Sequence, residues 1–199
     1  MKKVLIVFDS VSGATEAVAG ILAKELAGRG WDVKRKRAGE VKGSDIASAD
    51  AVAAGSPSWF GRPSLGMRRF LRENAEALAE KQLAFFFTCL TLPREEGLPA
   101  PALPVFTDPA LSGVSRSPAR LNLVEFAHTP FYAARRLKKR YPRLSFSSVA
   151  FLGGRLDFSR MKAWQKIAVF IDMIFLEDIR EGDFLNQKAV KSWAAGLFS

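Results

Sequence analysis

The stretch VLIVFDSVSGATEAVA, residues 4–19, decides how the chain is read. Val4 to Phe8 is continuously apolar and rich in β-branched residues, the signature of a strand buried on both faces in a parallel sheet. It stops at a knot of small polar residues, Ser10, Ser12, Gly13 and Thr15. From Thr15 to Ala27 the apolar residues Val18, Ile21, Leu22 and Leu26 recur at helical spacing, and Gly-Arg-Gly closes the segment. The order is strand, tight loop, helix.

The same rhythm continues outward. WDVKRKRA (31–38) predicts an edge strand, ADAVAAGSP (49–57) a third strand ending in a second small-residue loop, and SLGMRRFLRENAEALAEK (64–81) a helix on Leu65, Phe70, Leu71 and Leu78. QLAFFFTC (82–89) predicts a fourth strand and SFSSVAFLGG (145–154) a fifth, ending in paired glycines. Strands alternating with helices make a parallel sheet covered on both faces through right-handed crossovers, so the fold class is α/β.

Between strands four and five the rhythm breaks. Residues 90–126 contain six prolines and few periodic positions, an insertion running over about 90–128. Two readings fit so long a loop: a functional lid or partner surface, and a surface excursion that the fold tolerates. PFYAARRLKKRYP (130–142) then predicts a basic helix. An extra helix is expected over about 159–178, where Ile167 to Leu176 is apolar except for Asp172, too wide for one amphipathic stripe and too short to span a bilayer. NQKAVKSWAAGLF (186–198) predicts a terminal helix with Val190, Trp193, Ala194 and Leu197 on its apolar side.

Composition bounds the function. The 199 residues fit one domain over 1–199, with 48% hydrophobic and 25% charged residues, as ordinary folded proteins have. The single cysteine, Cys89, leaves no disulfide framework and no multi-cysteine metal site, so the expectation is a reducing cytoplasm and no metal. The short apolar run after Lys2 and Lys3 is cut by Asp9, which reads as a mature start. A net charge of +10 acts on association, drawing nucleic acid, an anionic membrane surface, an acidic protein or a carboxylate-bearing substrate, and charge alone does not choose among them. Aromatic interleaving of an RNA platform is missing, so no nucleic-acid partner is expected.

In an open parallel sheet, ligands bind beyond the carboxyl ends of the strands where the strand order reverses. Ser10, Ser12 and Thr15 offer hydroxyls there, Gly13 lets the backbone turn, and the opening amides of the helix supply positive potential for a phosphate. The loop carries no Lys or Arg, which suits a terminal monophosphate held by neutral donors. Neither G-x-x-x-x-G-K-[ST] nor G-x-G-x-x-G is present in it. Taken alone, the loop also reads as a polar turn capping a helix. The second loop, GSPSWFGRPS (55–64), displays Trp59 and Phe60 among small residues; the indole is expected to be exposed, its flat face suited to stacking on a planar ring. The loop after strand four, from Thr88 through Cys89 to Leu90, adds backbone donors along the ring edge. His128 has no Ser or Cys partner beside it and reads as structural or as a surface residue, and Cys89 as a packed thiol. RRLKKR (135–140) fits an anionic contact or a solvated helix face.

With both loops in hand, SVSGAT (10–15) resembles the flavodoxin phosphate loop [ST]-x-[ST]-G-x-T, and GSPSWFGRPS is similar to the loop that carries that family's ring-stacking aromatic. The resemblance implies a flavodoxin-like three-layer sandwich, with a five-stranded parallel sheet in the order 2-1-3-4-5 and the insertion after strand four. It also implies flavin mononucleotide (FMN) as cofactor. Ser10, Val11, Ser12, Gly13, Ala14 and Thr15 would surround the phosphate. Pro57, Ser58, Trp59, Phe60 and Gly61 would face the ring, and Thr88, Cys89 and Leu90 would line its pyrimidine side. The tyrosine that many flavodoxins stack there is absent.

Toward the C-terminus, GGRLDFSRMKAWQKI, then EGDF and AVKSWAA, look like the flavodoxin-domain group that contains the quinone-dependent protoporphyrinogen dehydrogenases. Gly182, Asp183 and Phe184 match that group's G-D-[FY]-R-D-W run, while Leu185, Asn186 and Gln187 replace its last three residues; Trp193 and Ala194 match the final W-A. This resemblance implies an oxidoreductase whose chemistry lies on the flavin, with a quinone and a porphyrin as donor or acceptor and a place at the inner face of the membrane. The apolar stretch 164–176 would rest at an interface or form a buried helix or dimer seam. A soluble flavodoxin-type electron carrier and a non-catalytic binding module on the same fold are the other readings.

Overall fold

In the computed structural model, which describes residues 1–95, 103–116, 121–161, 163–175 and 181–198, strands and helices alternate as the sequence implies. In chain order they are β1 (Lys3–Phe8), α1 (Ala14–Gly28), β2 (Asp32–Arg37), α2 (Gly43–Ala47), β3 (Ala51–Pro57), α3 (Leu65–Glu73), α4 (Ala75–Ala79) and β4 (Gln82–Cys89). The insertion contributes β5 (Leu92–Glu95), β6 (Val105–Thr107), β7 (Ser112–Arg116) and α5 (Leu123–Ala127). Next come α6 (Pro130–Arg140), β8 (Phe146–Gly153), β9 (Arg155–Leu156), α7 (Ala163–Phe175), β10 (Gly182–Asp183) and α8 (Gln187–Ala195).

The central sheet is parallel, in the order β2-β1-β3-β4-β8-β6. The predicted five strands are its first five members. A sixth, β6, comes from the insertion and extends the edge beyond β8. The prolines hid it. Pro104 sits immediately before β6, where a missing N–H breaks no ladder bond, and its carbonyl accepts from Val149 N–H at 2.8 Å. Strands β5 and β7 form a separate parallel pair. Residues 96–102 and 117–120 of the insertion, and 162 and 176–178 of the expected extra helix, lie outside the described residues.

Side-chain parity along the strands builds two cores. Val4, Ile6 and Phe8 point to the face covered by α1 and α8, against Val18, Leu22, Leu26, Val190 and Trp193. Leu5 and Val7 point to the other, with Ile46, Met67, Leu71, Leu78 and Leu137. The triple Phe85-Phe86-Phe87 splits the same way: Phe86 meets Trp193, while Phe87 stacks on Phe151 with ring centres 5.3 Å apart. The predicted helix 64–81 is two helices, parted at Asn74, whose Nδ2 donates back to the Phe70 carbonyl at 2.9 Å and competes with the helical ladder.

At the edge, β2 uses both of its faces for charge. Lys34 and Lys36 reach the buried Asp45 of α2, while Arg37 pairs with Glu16 of α1. The sheet twist and these crossovers bring the carboxyl ends of β1, β3, β4 and β8 side by side. Asp9 N–H donates to Gly55 O (3.0 Å), Ser58 N–H to Thr88 O (3.0 Å), and Gly154 N–H to Cys89 O (2.8 Å), stitching successive loops into one rim.

Candidate functional site

The rim encloses a small cavity of about 70 Å³. Val11, Ser12, Ala14, Thr15, Pro57, Ser58, Trp59, Thr88, Cys89 and Leu90 line it, so ten of the residues singled out from sequence meet at one place. The first loop turns at Gly13, whose φ of 86° is open to glycine and strained for other residues. The Gly13 carbonyl accepts from Ala17 N–H at 2.9 Å, and the amides that open α1 before Ala17 have no partner inside the helix. Ser12 Oγ donates to the Arg155 carbonyl (2.8 Å), and the Thr15 and Thr88 hydroxyls meet at 2.9 Å. Ser10 Oγ is buried and makes no hydrogen bond among the described residues. A buried hydroxyl without a partner is costly, and it marks a place where an acceptor from outside the chain fits.

Phe60 and Gly61 lie off the cavity. They are the two central residues of a tight turn, with φ of 50° and 66°, closed by reciprocal bonds of 2.9 Å between Trp59 and Arg62. A side chain at position 61 would lie 2.4 Å from the Ala127 carbonyl, so the turn is seated directly on α5. The Phe60 ring packs on His128 at 5.3 Å. His128 Nδ1 bonds the Val124 carbonyl at 2.8 Å, and burial holds its pKa below the ordinary imidazole value, consistent with a structural residue. Trp59 is half-buried rather than exposed: like Leu90, Val124, Phe158 and Met161 it packs against the buried pair Leu156 and Val169, because the segment after β8 folds back over it.

That segment holds the cavity residues that sequence reasoning missed: Gly154, Arg155, Leu156, Met161 and Val169. The paired glycines ending β8 were the available signal. A side chain at 153 would lie 1.8 Å from the Phe184 carbonyl, and one at 154 would lie 3.1 Å from the Cys89 carbonyl. Strands β9 and β10 pair at the base of the excursion, where Arg155 Nε donates to Asp183 at 3.0 Å and Phe158 N–H to Glu181 at 3.0 Å. Arg155 is thereby committed to Asp183, and the first loop stays neutral. Asp108, fully buried in the insertion, accepts from Gly153 N–H (3.2 Å) and Asn186 Nδ2 (2.8 Å), fastening the insertion to the same rim.

Helix α7 has two characters. Val169 is buried over the cavity, while Ile167, Phe170 and Ile174 are exposed by 62%, 58% and 75%, one stripe at helical spacing. No helix among the described residues is long and apolar enough to cross a membrane. Cys89 is buried beside the Ser58 hydroxyl, and burial pushes its thiol up to about 12, so it is protonated and unreactive at neutral pH. Among the described residues there is no cluster of His, Cys, Asp and Glu able to hold a metal ion. A second, larger cavity of about 650 Å³ shares Val11 and Trp59 with the first; Phe60, Pro63 and Tyr132 line it, and Arg62, Arg68 and Arg136 stand among its walls together with Asp9.

The family model for the flavodoxin domain matches residues 5–183. Among curated proteins, a flavodoxin of Aquifex aeolicus is 35% identical over 71 residues, which are 35% of this chain and 38% of that protein, so the match spans well under half of the relative. Among solved structures, two-electron reduced flavodoxin from Megasphaera elsdenii superposes with a TM-score of 0.50 at 18% identity, over 96% of this chain and 98% of the other. A short-chain flavodoxin associated with a bacterial microcompartment gives 0.50 at 11% identity, over 87% and 99%. At these identities the likeness to solved structures is one of fold.

Proposed function

The chain belongs to the flavodoxin-domain family, whose members bind FMN, and from that premise we propose an FMN-dependent oxidoreductase of the protoporphyrinogen-dehydrogenase-like group that passes electrons to a membrane quinone. The neutral donor set of the first loop fits the cofactor's phosphate. Ser10, Ser12, Thr15 and the first amides of α1 would hold the phosphate, with the unpartnered Ser10 Oγ as its donor. Trp59 would stack on the ring, and Thr88, Cys89 and Leu90 would line its edge. Bound FMN supplies the electron or hydride transfer, and the chain's part is to hold it, orient it and keep water out.

The observation that carries the proposal is the two-sidedness of α7, whose Val169 closes the cofactor cavity while Ile167, Phe170 and Ile174 face outward. A helix of this kind lies in a membrane interface, and the net charge of +10 favours anionic headgroups. The protein would thus work from the cytoplasmic side as a peripheral partner of the membrane. The adjoining cavity has aromatic walls and three guanidinium groups, Arg62, Arg68 and Arg136, against one carboxylate, Asp9, an excess of positive charge that suits a reduced tetrapyrrole and its propionates. For each quinone reduced to quinol, two electrons and two protons leave the donor.

The test is turnover of protoporphyrinogen with a quinone in vesicles containing anionic lipid. Wild type should turn over and be retained at low salt, whereas Ile167→Ser with Phe170→Ser and Ile174→Ser should stay folded and lose both. Retention of both by the triple variant would end the membrane reading. The match to a flavodoxin of Aquifex aeolicus favours a second reading, a soluble electron carrier, which predicts no turnover and exchange of electrons with protein partners only. A non-catalytic module predicts that denaturation releases no FMN.

A further inference from the structure

Along α3, next to the 650 Å³ cavity and sharing Leu65 and Arg68 with it, lies a groove of about 530 Å³. One wall is α3, with Arg68, Arg69 and Arg72, and the other is the turn from α6 into β8, with Arg140 and Arg143. Tyr141 and Leu144, both buried members of the core, make a firm apolar floor.

The charges in this groove do not balance. Five guanidinium groups face two carboxylates: Glu73, which takes Arg69 at 2.8 Å and Arg72 at 4.0 Å, and Glu76, which takes Arg143 at 3.6 Å and is itself 91% exposed. Arg68 and Arg140 have no carboxylate partner among the described residues. Arg68 Nε is buried and makes no hydrogen bond there. Burial raises the Tyr141 phenol above its ordinary value, while Arg140, Arg68 and Arg72 each pull it back, so three of the charges act on one point. Placement in the last turns of α3 and α6 gives Arg72 and Arg140 a role with the helix dipoles, but it explains neither Arg68, in mid-helix, nor the convergence of two walls on one concavity.

We infer that this groove is a binding site for a ligand carrying two linked or neighbouring phosphate groups, gripped between the α3 arginines and Arg140 with Arg143. A guanidinium fork matches phosphate oxygens two at a time. The uncompensated charge exceeds what a single phosphate, at about −1.5 to −2, would neutralise. The volume falls in the usual range for small-ligand sites. The source of the phosphates is a soluble diphosphate or a lipid headgroup. The site does not involve the flavin.

Calorimetric titration of pyrophosphate into the FMN-loaded protein at constant ionic strength tests the site, with flavin absorbance followed so that displacement from the phosphate loop is seen separately. Binding should saturate at one equivalent without loss of FMN. Arg72→Gln with Arg143→Gln should weaken it at least tenfold, and Arg140→Lys, which keeps the charge and removes the fork, should weaken it several-fold. Unchanged affinity in the double variant would overturn the proposal. A second arm uses phosphatidylcholine vesicles doped with cardiolipin. Retention that is lost in the double variant, without pyrophosphate binding, assigns the phosphates to lipid; failure of both arms, or tighter groove binding of poly-glutamate than of pyrophosphate, refutes the site.

Discussion

The hydroxyls of Thr15 and Thr88 meet at 2.9 Å across 73 residues of sequence, tying the first turn of α1 to the end of β4. Both residues are buried. Thr15→Val leaves the Thr88 hydroxyl without that partner, and the reverse holds for Thr88→Val, so each single change should cost about 1–3 kcal/mol. The double change should cost less than their sum, and urea denaturation of the four proteins reads the coupling. Strict additivity would show that the contact carries no energy. FMN affinity should fall chiefly with Thr15→Val.

Trp59 packs under α7 and faces the cavity, so its removal has two effects that must be told apart. Trp59→Ala should lower FMN affinity by about 1–3 kcal/mol, roughly five- to 150-fold, while Trp59→Phe should keep most of it. Fluorescence titration of the apoprotein gives both values. Equal affinity in wild type and Trp59→Ala would exclude stacking.

Cys89 should be a poor nucleophile. With its thiol raised to about 12 from an ordinary value near 9, the thiolate fraction at about pH 8 drops roughly a thousandfold, and alkylation by iodoacetamide should slow accordingly relative to unfolded chain. The protonated thiol is favoured by the fold, so its contribution to stability is complete below pH 9.0 and is lost as the pH rises toward about 12. Rapid labelling of the folded protein would contradict this burial.

Asp45 titrates in the opposite sense. Lys34, then Lys36 and the Lys42 amide, hold its carboxyl well below the usual 3.8. Its contribution is therefore present above that value and is lost as the pH falls through the depressed one. Asp45→Asn should be less stable than wild type at neutral pH, with the gap narrowing below about pH 4. A pH-independent gap in denaturation midpoints would assign the effect to packing instead of charge.

Gly153 and Gly28 should respond to the same substitution with opposite signs. Gly153→Ala drives a methyl to within 1.8 Å of the Phe184 carbonyl and should cost about 1–3 kcal/mol, disturbing β9 and β10 together. Gly28→Ala, at the end of α1 with open space around it, should stabilise by about 0.5–1 kcal/mol. Thermal unfolding of both variants decides the comparison.

By itself the sequence determined the repeating strand-loop-helix order, the parallel sheet and the two loops opposite each other at its switch point. These are local properties: a period of two or 3.6, a glycine at a turn, hydroxyls at a helix start. Only the tertiary structure decided which distant segments close on those loops. The sixth strand was hidden by prolines whose missing donors matter only once the neighbouring strand is known. Arg155, Met161 and Val169 reach the cavity because β9 and β10 fold α7 back over Trp59, and the arginine groove exists because two remote helices end side by side. Such pairings depend on contacts between residues far apart in the chain, and no periodicity within one segment encodes them.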